Sequence, residues 1–201
     1  MRNEPLEIAP ALREHLKAIL LRGDRAAALD ALKNGQRQAL SACRDALMEA
    51  LTARHLAGEA PFCQLTAVAE AAAVLLDPAL PPAACCGALA GNTSAASHDF
   101  MLMLLRAWGL PTLDLGADVP PERFLEAIVQ SDLRFAVCAA FSGADAACVR
   151  QIDALARDRG LRDRFQLAVC GARLASNELP ADCPEYKTAA VAGWVVRAWK
   201  G

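Results

Sequence analysis

Aromatic side chains are scarce in this chain, and their scarcity limits the core that it can build. Phe, Trp and Tyr make up 5% of the sequence, whereas hydrophobic residues of all kinds make up 55%. The core must therefore consist largely of Ala, Leu and Val, a composition that favours close-packed helices and parallel strands over an aromatic-rich β-sandwich. A length of 201 residues suits one large domain or two small ones.

The chain also has no large excess of positive or negative charge and no long apolar run. The net charge is -2, and Lys and Arg are dispersed among Asp and Glu, so the chain offers no basic stripe to a phosphate backbone. The N-terminus has no apolar segment followed by a small-residue cleavage site. No uncharged apolar run approaches the length that spans a bilayer. We therefore expect a cytoplasmic protein that binds neither nucleic acid nor a membrane.

A C-x-x-C pair is missing, although the chain has eight cysteines. In a reducing compartment we expect these cysteines to be small buried hydrophobic residues. The adjacent Cys85 and Cys86 would point to opposite faces of a strand, so they could not bind one metal ion together. The spacing therefore gives no support to a tetrahedral zinc site.

The N-terminal part of the sequence has helical periodicity throughout. Leu12, Leu16, Ile19 and Leu20 recur at steps of three and four residues, and Gly23 then interrupts the pattern. Further helical stretches cover residues 25–33, 36–55 and 62–76. Four helices joined by short breaks predict a helical bundle over residues 1–80. The bundle ends in a proline-rich linker at residues 77–82, where a helix cannot continue.

The periodicity changes after this linker. Short apolar runs and helical stretches alternate, with the runs at 83–90, 111–115, 134–141 and 165–170 and the helices at 102–108, 120–130, 145–159 and 188–200. This alternation predicts an α/β domain over residues 83–201, with a parallel sheet covered on both faces. Ligands bind such sheets at the carboxyl ends of the strands. The loops to consider are therefore 91–97, 116–119, 142–144 and 171–173.

One stretch of the α/β part resembles a known family. Residues 113–124, LDLGADVPPERF, resemble the second strand, its loop and the opening of the second helix of the corrinoid proteins of methyltransferase systems and of the cobalamin-binding modules of methionine synthase. Residues 104–109 are similar to the end of that family's first helix, and residues 21–24 to the start of its helical cap. The resemblance implies a helical cap followed by a flavodoxin-like (Rossmann-like) cobalamin-binding domain.

The family's signature, Asp-x-His-x-x-Gly after the first strand, is altered here. In the family, the His is the lower axial ligand of cobalt, the Asp holds its other ring nitrogen, and the Gly lets the backbone pass the nucleotide tail. The matching positions are Asn92, Ser94 and Ser97, and all three differ from the motif. Ser94 has no nitrogen for cobalt, and Asn92 lacks the charge that raises a ligand's basicity. The resemblance thus implies altered cobalt ligation.

The altered motif and the strand-end loops provide the candidate cofactor contacts, which are Asn92, Ser94, Ser97, His98, Gly116, Asp118, Ser142, Gly143 and Gly171. Several have a second interpretation. His98 beside Asp99 is also typical of a solvated or capping residue at a helix start, and Asp118 of an N-cap for the helix after Pro120. Ser142 and Gly143 also fit a simple turn before the next helix.

Metal ligation would have to come from residues outside the altered motif. His98 and His55 are the candidate ligands. His98 lies four residues after the position that matches the family's ligand, and His55 lies near the end of the third helix, which the resemblance implies faces the cofactor. A surface position is the alternative for each. Cys63 and Cys86 are soft ligands, but we expect both to pack in the core.

The leading hypothesis is a corrinoid (cobalamin)-binding protein that carries a methyl group for a methyltransferase system, as a carrier subunit and not a stand-alone catalyst. One alternative is a regulatory protein that senses a tetrapyrrole, either cobalamin or haem. Another is an interaction module without a cofactor. The expected partner is a methyltransferase or a regulatory protein, and a homodimer is a further expectation.

Overall fold

The structure is a computed structural model that describes residues 8–93, 95–140, 143–170, 179–180, 183, 185–186 and 188–200. The chain divides into two compact units. The first consists of Met1–Asp77 with Arg106–Gly109, and the second of Pro78–Leu105 with Leu110–Gly201.

The first unit is helical, as the apolar spacing predicts. Its helices are α1 (Pro10–Leu21), α2 (Arg25–Lys33), α3 (Arg37–Leu56) and α4 (Phe62–Ala72), and a short 3₁₀ turn (Ala73–Leu75) follows α4. Their buried faces carry aliphatic side chains that are fully enclosed, among them Leu16, Leu20, Leu40, Met48 and Leu65. The helical bundle is therefore held together by an aliphatic core, in line with the low aromatic content.

The turn between α1 and α2 shows how local sequence sets the helix ends. Gly23 adopts a left-handed φ of +67°, and a Cβ at this position would lie 3.1 Å from the Ala67 carbonyl oxygen. The Asp24 carboxylate then accepts a hydrogen bond from the Ala27 N–H at 3.0 Å and caps the start of α2. The glycine thus permits both the turn and its close packing on α4.

The second unit is an α/β fold with a parallel sheet. Its strands are β1 (Ala84–Leu89), β2 (Thr112–Val119), β3 (Phe135–Ala139), β4 (Gln166–Cys170) and β5 (Glu185–Tyr186). They lie in the order β2-β1-β3-β4-β5, and every pairing is parallel. The helices of the second half of the chain are α5 (Ala95–Ala107), α6 (Pro121–Ser131), α7 (Gly143–Asp158) and α8 (Thr188–Lys200), with a 3₁₀ turn at Arg162–Arg164. This strand order is that of the flavodoxin-like doubly wound fold, so the expected fold class is confirmed.

Strand β2 is longer than the sequence predicts. Residues 116–119, expected as a loop, continue the strand to Val119. The continuation is irregular, because Gly116 has φ +83° and Asp118 has φ +56°, and the pairing with β1 shifts register twice. Glycine and aspartate tolerate left-handed backbone better than most residues. A pattern that reads as a turn is therefore a pair of bulges within a strand.

Helix α5 also differs from the prediction, because it begins at Ala95 and not near Leu102. Ser97 and His98 consequently lie in its first turn, so the expected loop at 91–97 is shorter than the sequence indicated. The two-residue strand β5 was not predicted, since a strand of that length leaves no periodic signal. Ser94, Ser142 and Gly171 lie outside the described residues.

Candidate functional site

The candidate site lies at the carboxyl edge of the sheet, where β1 is flanked by β2 on one side and β3 on the other. This is the switch point of a flavodoxin-like sheet, the place where ligands bind such folds. Strand β1 is buried in all six residues and ends at Leu89, so that Gly91, Asn92 and Thr93 emerge from the core toward this edge. A Cβ added to Gly91 or to Gly116 would meet no atom within 4 Å, so the backbone is open on that side at both positions.

Asp118 holds the residues that follow β1. Its carboxylate accepts a hydrogen bond from the Gly91 N–H at 2.7 Å, and its own N–H donates to the Asn92 carbonyl oxygen at 3.1 Å. The interpretation of Asp118 as an N-cap is therefore wrong. Helix α6 has Pro120 at its N-cap position and no side-chain cap, and the Asp118 carboxylate is directed to the β1 loop instead.

His98 is buried between two carboxylates. Its side chain is 3% exposed, with Nδ1 3.0 Å from Asp99 Oδ1 and Nε2 2.9 Å from Asp114 Oδ1. The Nε2 contact is short but not aligned as a hydrogen bond, so its strength depends on the charge of the ring. The Asp114 carboxylate also accepts from the Gly116 N–H at 2.8 Å. A solvated His98 is therefore the wrong interpretation.

The arrangement limits what His98 can do chemically. Both ring nitrogens lie within about 3 Å of a carboxylate, and Nε2 is inaccessible to solvent. Among the described residues, no group of three or more His, Cys, Asp and Glu side chains is arranged to hold a metal ion. The described part of the site is thus a carboxylate-rich edge and not a metal cage.

Two of the residues that matter most at this edge were absent from the sequence-based candidates. Asp114 contacts both His98 and Gly116, and Gly91 is the donor to Asp118. Asp114 lies inside the stretch that resembles the corrinoid proteins. It also falls in the predicted strand 111–115, close to the carboxyl end where ligands are expected, which is the signal that could have found it.

Helix α7 also reaches this edge. It begins at Gly143, and the half-buried Cys148 points its Sγ at the Ala90 carbonyl oxygen at 3.9 Å. Burial, with a further contribution from the Asp145 carboxylate, raises the pKa of the Cys148 thiol above its ordinary value. Cys148 is therefore a protonated, weakly polar neighbour of the β1 loop and not a reactive thiolate.

The remaining candidate ligands lie in the helical unit. His55 is half-buried near the end of α3, with Nδ1 3.2 Å from the Ala60 carbonyl oxygen and its ring 6.0 Å from that of Phe62. Cys63 is exposed, so the expectation that it packs in the core is wrong, whereas Cys86 in β1 is fully buried as expected. Cys63 is the second residue of α4, and its side chain falls on the solvent side of that helix.

Solved structures with known ligands share this architecture. A cobalamin-binding protein from Desulfitobacterium hafniense DCB-2 superposes with a TM-score of 0.73 at 17% identity, covering 94% of this chain and 98% of that chain. The chain has the fold of the cobalamin-binding corrinoid proteins. A chain of the methanol:cobalamin methyltransferase complex of Methanosarcina barkeri gives a TM-score of 0.73 at 16% identity over 96% of this chain and 81% of its own. The monomethylamine corrinoid protein of the same organism gives a TM-score of 0.51 at 16% identity, covering 92% of this chain and 96% of its own.

At 16–17% identity, the likeness to these structures is one of fold. No protein-family model matches the sequence, and no curated protein matches it. Among the described helices, none is long and apolar enough to cross a membrane.

Proposed function

We propose that this chain binds a corrinoid at the carboxyl edge of its sheet and acts as a methyl carrier for a methyltransferase. The single observation that carries the proposal is the extent of the structural likeness. It covers 94% of this chain and 98% of a cobalamin-binding protein, so it includes the helical part as well as the sheet. A likeness limited to the sheet would be shared with many proteins that bind other ligands.

The described residues at this edge leave space for such a ligand, but they offer no histidine ligand for its cobalt. The open backbone at Gly91 and Gly116 would let a large flat group approach closely. Histidine ligation does not fit, because His98 is the only histidine after residue 80 and both its nitrogens face carboxylates. We therefore propose that the cobalt receives no histidine nitrogen from this edge.

When bound, a corrinoid supplies a cobalt centre that accepts and releases a methyl group, and the protein supplies orientation and shielding. We propose that the corrinoid contacts the β1 loop at residues 91–93 and the open backbone of β2 at Gly116. A methyltransferase partner is proposed because one structure with the same fold comes from a methanol:cobalamin methyltransferase complex.

The test is a visible absorption titration of the purified 201-residue chain with hydroxocobalamin, methylcobalamin and haem in parallel. We expect saturable binding of both cobalamins with a Kd below about tens of micromolar, the range in which a working cofactor site fills. The bound spectrum should be the same in wild type and in His98→Ala, because His98 is not expected to coordinate cobalt. Methyl transfer to or from the loaded chain by a corrinoid methyltransferase would then test the carrier role.

Each other outcome has a definite meaning. Binding of haem alone would replace the corrinoid proposal with that of a haem-binding regulatory protein. Binding of none of the three ligands would refute the cofactor proposal. A histidine nitrogen on cobalt that is lost in His98→Ala would contradict the assignment of His98 to its two carboxylates.

A further inference from the structure

The residues after β1 and the first turn of α5 both contact one neighbouring strand. Directly after β1, the Gly91 N–H donates to Asp118 Oδ1 at 2.7 Å, and the Asp118 N–H donates back to the Asn92 carbonyl oxygen at 3.1 Å. In the first turn of α5, His98 Nε2 lies 2.9 Å from Asp114 Oδ1. Asp114 and Asp118 are both residues of β2. The ties at residues 91–92 and at residue 98 are called the carboxylate clamp below.

The irregular backbone of β2 makes the clamp geometrically possible. Asp118 adopts φ +56° and Gly116 φ +83°, and each coincides with a shift in the pairing register with β1. A left-handed conformation at a residue with a Cβ costs about 1 kcal/mol, least for Asp and Asn. Aspartate at position 118 thus tolerates the left-handed conformation and also carries the acceptor for the Gly91 N–H.

The residues directly after β1 have little packing of their own. Gly91 has no side chain, and a Cβ at this position would touch nothing within 4 Å. Fixing the backbone of a residue costs conformational entropy, so residues 91–92 need favourable contacts with their surroundings to hold one shape. The two hydrogen bonds with Asp118 provide such contacts.

We propose that Asp114 and Asp118 are positioning residues, which set the backbone of the β1–α5 connection at residues 91–92 and the placement of His98 before any ligand arrives. This proposal rests on the proposed function in one respect only, that the ligand meets this connection. A connection ordered in advance loses less conformational entropy when the ligand binds, and its affinity is correspondingly higher. The clamp would then determine corrinoid affinity without any contact between the two carboxylates and cobalt.

The Asp118 end can be tested without introducing strain. Asp118→Gly keeps the left-handed backbone easily but removes the carboxylate, whereas Asp118→Asn keeps an acceptor oxygen and tolerates the same backbone. Asp132→Gly is the matched control, because Asp132 also has a left-handed φ, of +49°, and also uses its carboxylate, on Arg164 at 2.9 Å. Asp132 lies at the end of α6, away from the connection between β1 and α5.

The first measurement is residue-resolved amide hydrogen exchange by NMR in the chain without added ligand. The Gly91 amide should exchange about fivefold faster or more in Asp118→Gly, the effect expected for one lost hydrogen bond. Asp118→Asn should restore most of the protection, and Asp132→Gly should leave Gly91 at the wild-type rate. Asp114→Ala should instead speed exchange in the first turn of α5.

The second measurement is the Kd for hydroxocobalamin in the same variants. Asp118→Gly should raise the Kd at least about fivefold with the spectrum of the bound form unchanged, because shape and not cobalt ligation is altered. Asp132→Gly should stay within about twofold of wild type.

The results separate the two proposals. Unchanged Gly91 exchange in Asp118→Gly would overturn the clamp, and so would faster exchange with an unchanged Kd, since the connection would then not shape the site. If the wild-type chain binds no corrinoid, the proposed function fails, while the exchange rates alone still support or overturn the clamp.

Discussion

Gly87 in β1 and Phe124 in α6 approach so closely that a Cβ on residue 87 would lie 3.1 Å from Phe124 Cζ. Leu115 Cβ and Val119 Cγ2, both on β2, would be at the same 3.1 Å. The glycine therefore lets one helix pack directly on the centre of the sheet. A close approach of this kind is one way in which a core with few aromatic residues reaches high packing density.

Gly87→Ala should destabilise the fold, because three side-chain atoms of the core would have to give way at once. We expect the free energy of unfolding to fall by about 1–2 kcal/mol, typical of one extra methyl group in a filled core. Urea denaturation followed by circular dichroism measures this directly.

Gly193→Ala is the matched control for Gly87→Ala. Gly193 lies within α8, and its added Cβ would meet only the flexible Arg197 side chain, at 3.4 Å. Alanine is a better helix former than glycine, so this variant should gain about 0.5–1 kcal/mol. Equal effects of the two substitutions would contradict the packing assigned to Gly87.

His98→Ala should lower stability without changing the spectrum of bound hydroxocobalamin. The substitution removes a buried ring and leaves Asp99 and Asp114 without their shared partner, so we expect a loss of about 1–3 kcal/mol. His15→Ala is the control, because His15 is exposed on α1 and its loss should cost under about 0.5 kcal/mol. A changed cobalt spectrum in His98→Ala alone would identify His98 as a ligand and overturn the structural role given to it here.

Asp153 should make the free energy of unfolding depend on pH under acidic conditions. Burial alone would raise its pKa, but hydrogen bonds from Arg157 and Arg162 outweigh burial and hold the pKa below the ordinary value. A carboxyl whose pKa is depressed in the folded state contributes stability that is complete above its unfolded pKa, near 4. That contribution is lost as the pH falls from about 4 through the folded pKa. Urea midpoints measured between pH 7 and pH 2 should show this loss.

Asp153→Asn should cost about 2 kcal/mol at pH 7, since it replaces a carboxylate that accepts charge-assisted hydrogen bonds at 2.9 Å and 2.6 Å. The variant should also have a shallower acid dependence than wild type. Asp163→Asn, at an exposed position in the neighbouring 3₁₀ turn, serves as control and should leave both quantities unchanged. If the free energy of unfolding falls equally steeply with pH in Asp153→Asn and in wild type, the assignment of this pH dependence to Asp153 is refuted.

The central strands and the helices could be predicted from the sequence because their signals are local. Ala84–Leu89 and Phe135–Ala139 are buried in every residue, and each is read from one uninterrupted apolar run. The end of β2 could not be predicted in this way, because Gly116 and Asp118 are typical of turns and only the pairing with β1 keeps them in a strand.

The site was harder to predict, since its defining contacts join distant positions. His98 beside Asp99 suggests a solvated residue, and its burial depends on Asp114, sixteen residues later in another strand. The tie between Gly91 and Asp118 spans 27 residues. The rule for parallel sheets indicated the carboxyl edge as the candidate site, but only the folded arrangement shows which side chains hold that edge together.

The eight cysteines provide a last test, because the structure separates them by exposure. Cys63 is exposed and Cys148 half-buried, whereas the other six are buried. Burial raises the pKa of Cys85 and of Cys170 to about 12, so at pH 8 only about one in 10,000 of each would be thiolate even if a reagent could reach it. A thiol reagent such as Ellman's should therefore react quickly with one cysteine of the native chain, more slowly with a second, and with all eight only after unfolding. Cys63→Ser should abolish the fast phase and Cys86→Ser should leave it intact. A fast phase that survives Cys63→Ser would mean that Cys148 or one of the six buried thiols is more open to solvent than assigned, and the packing around that cysteine would have to be revised.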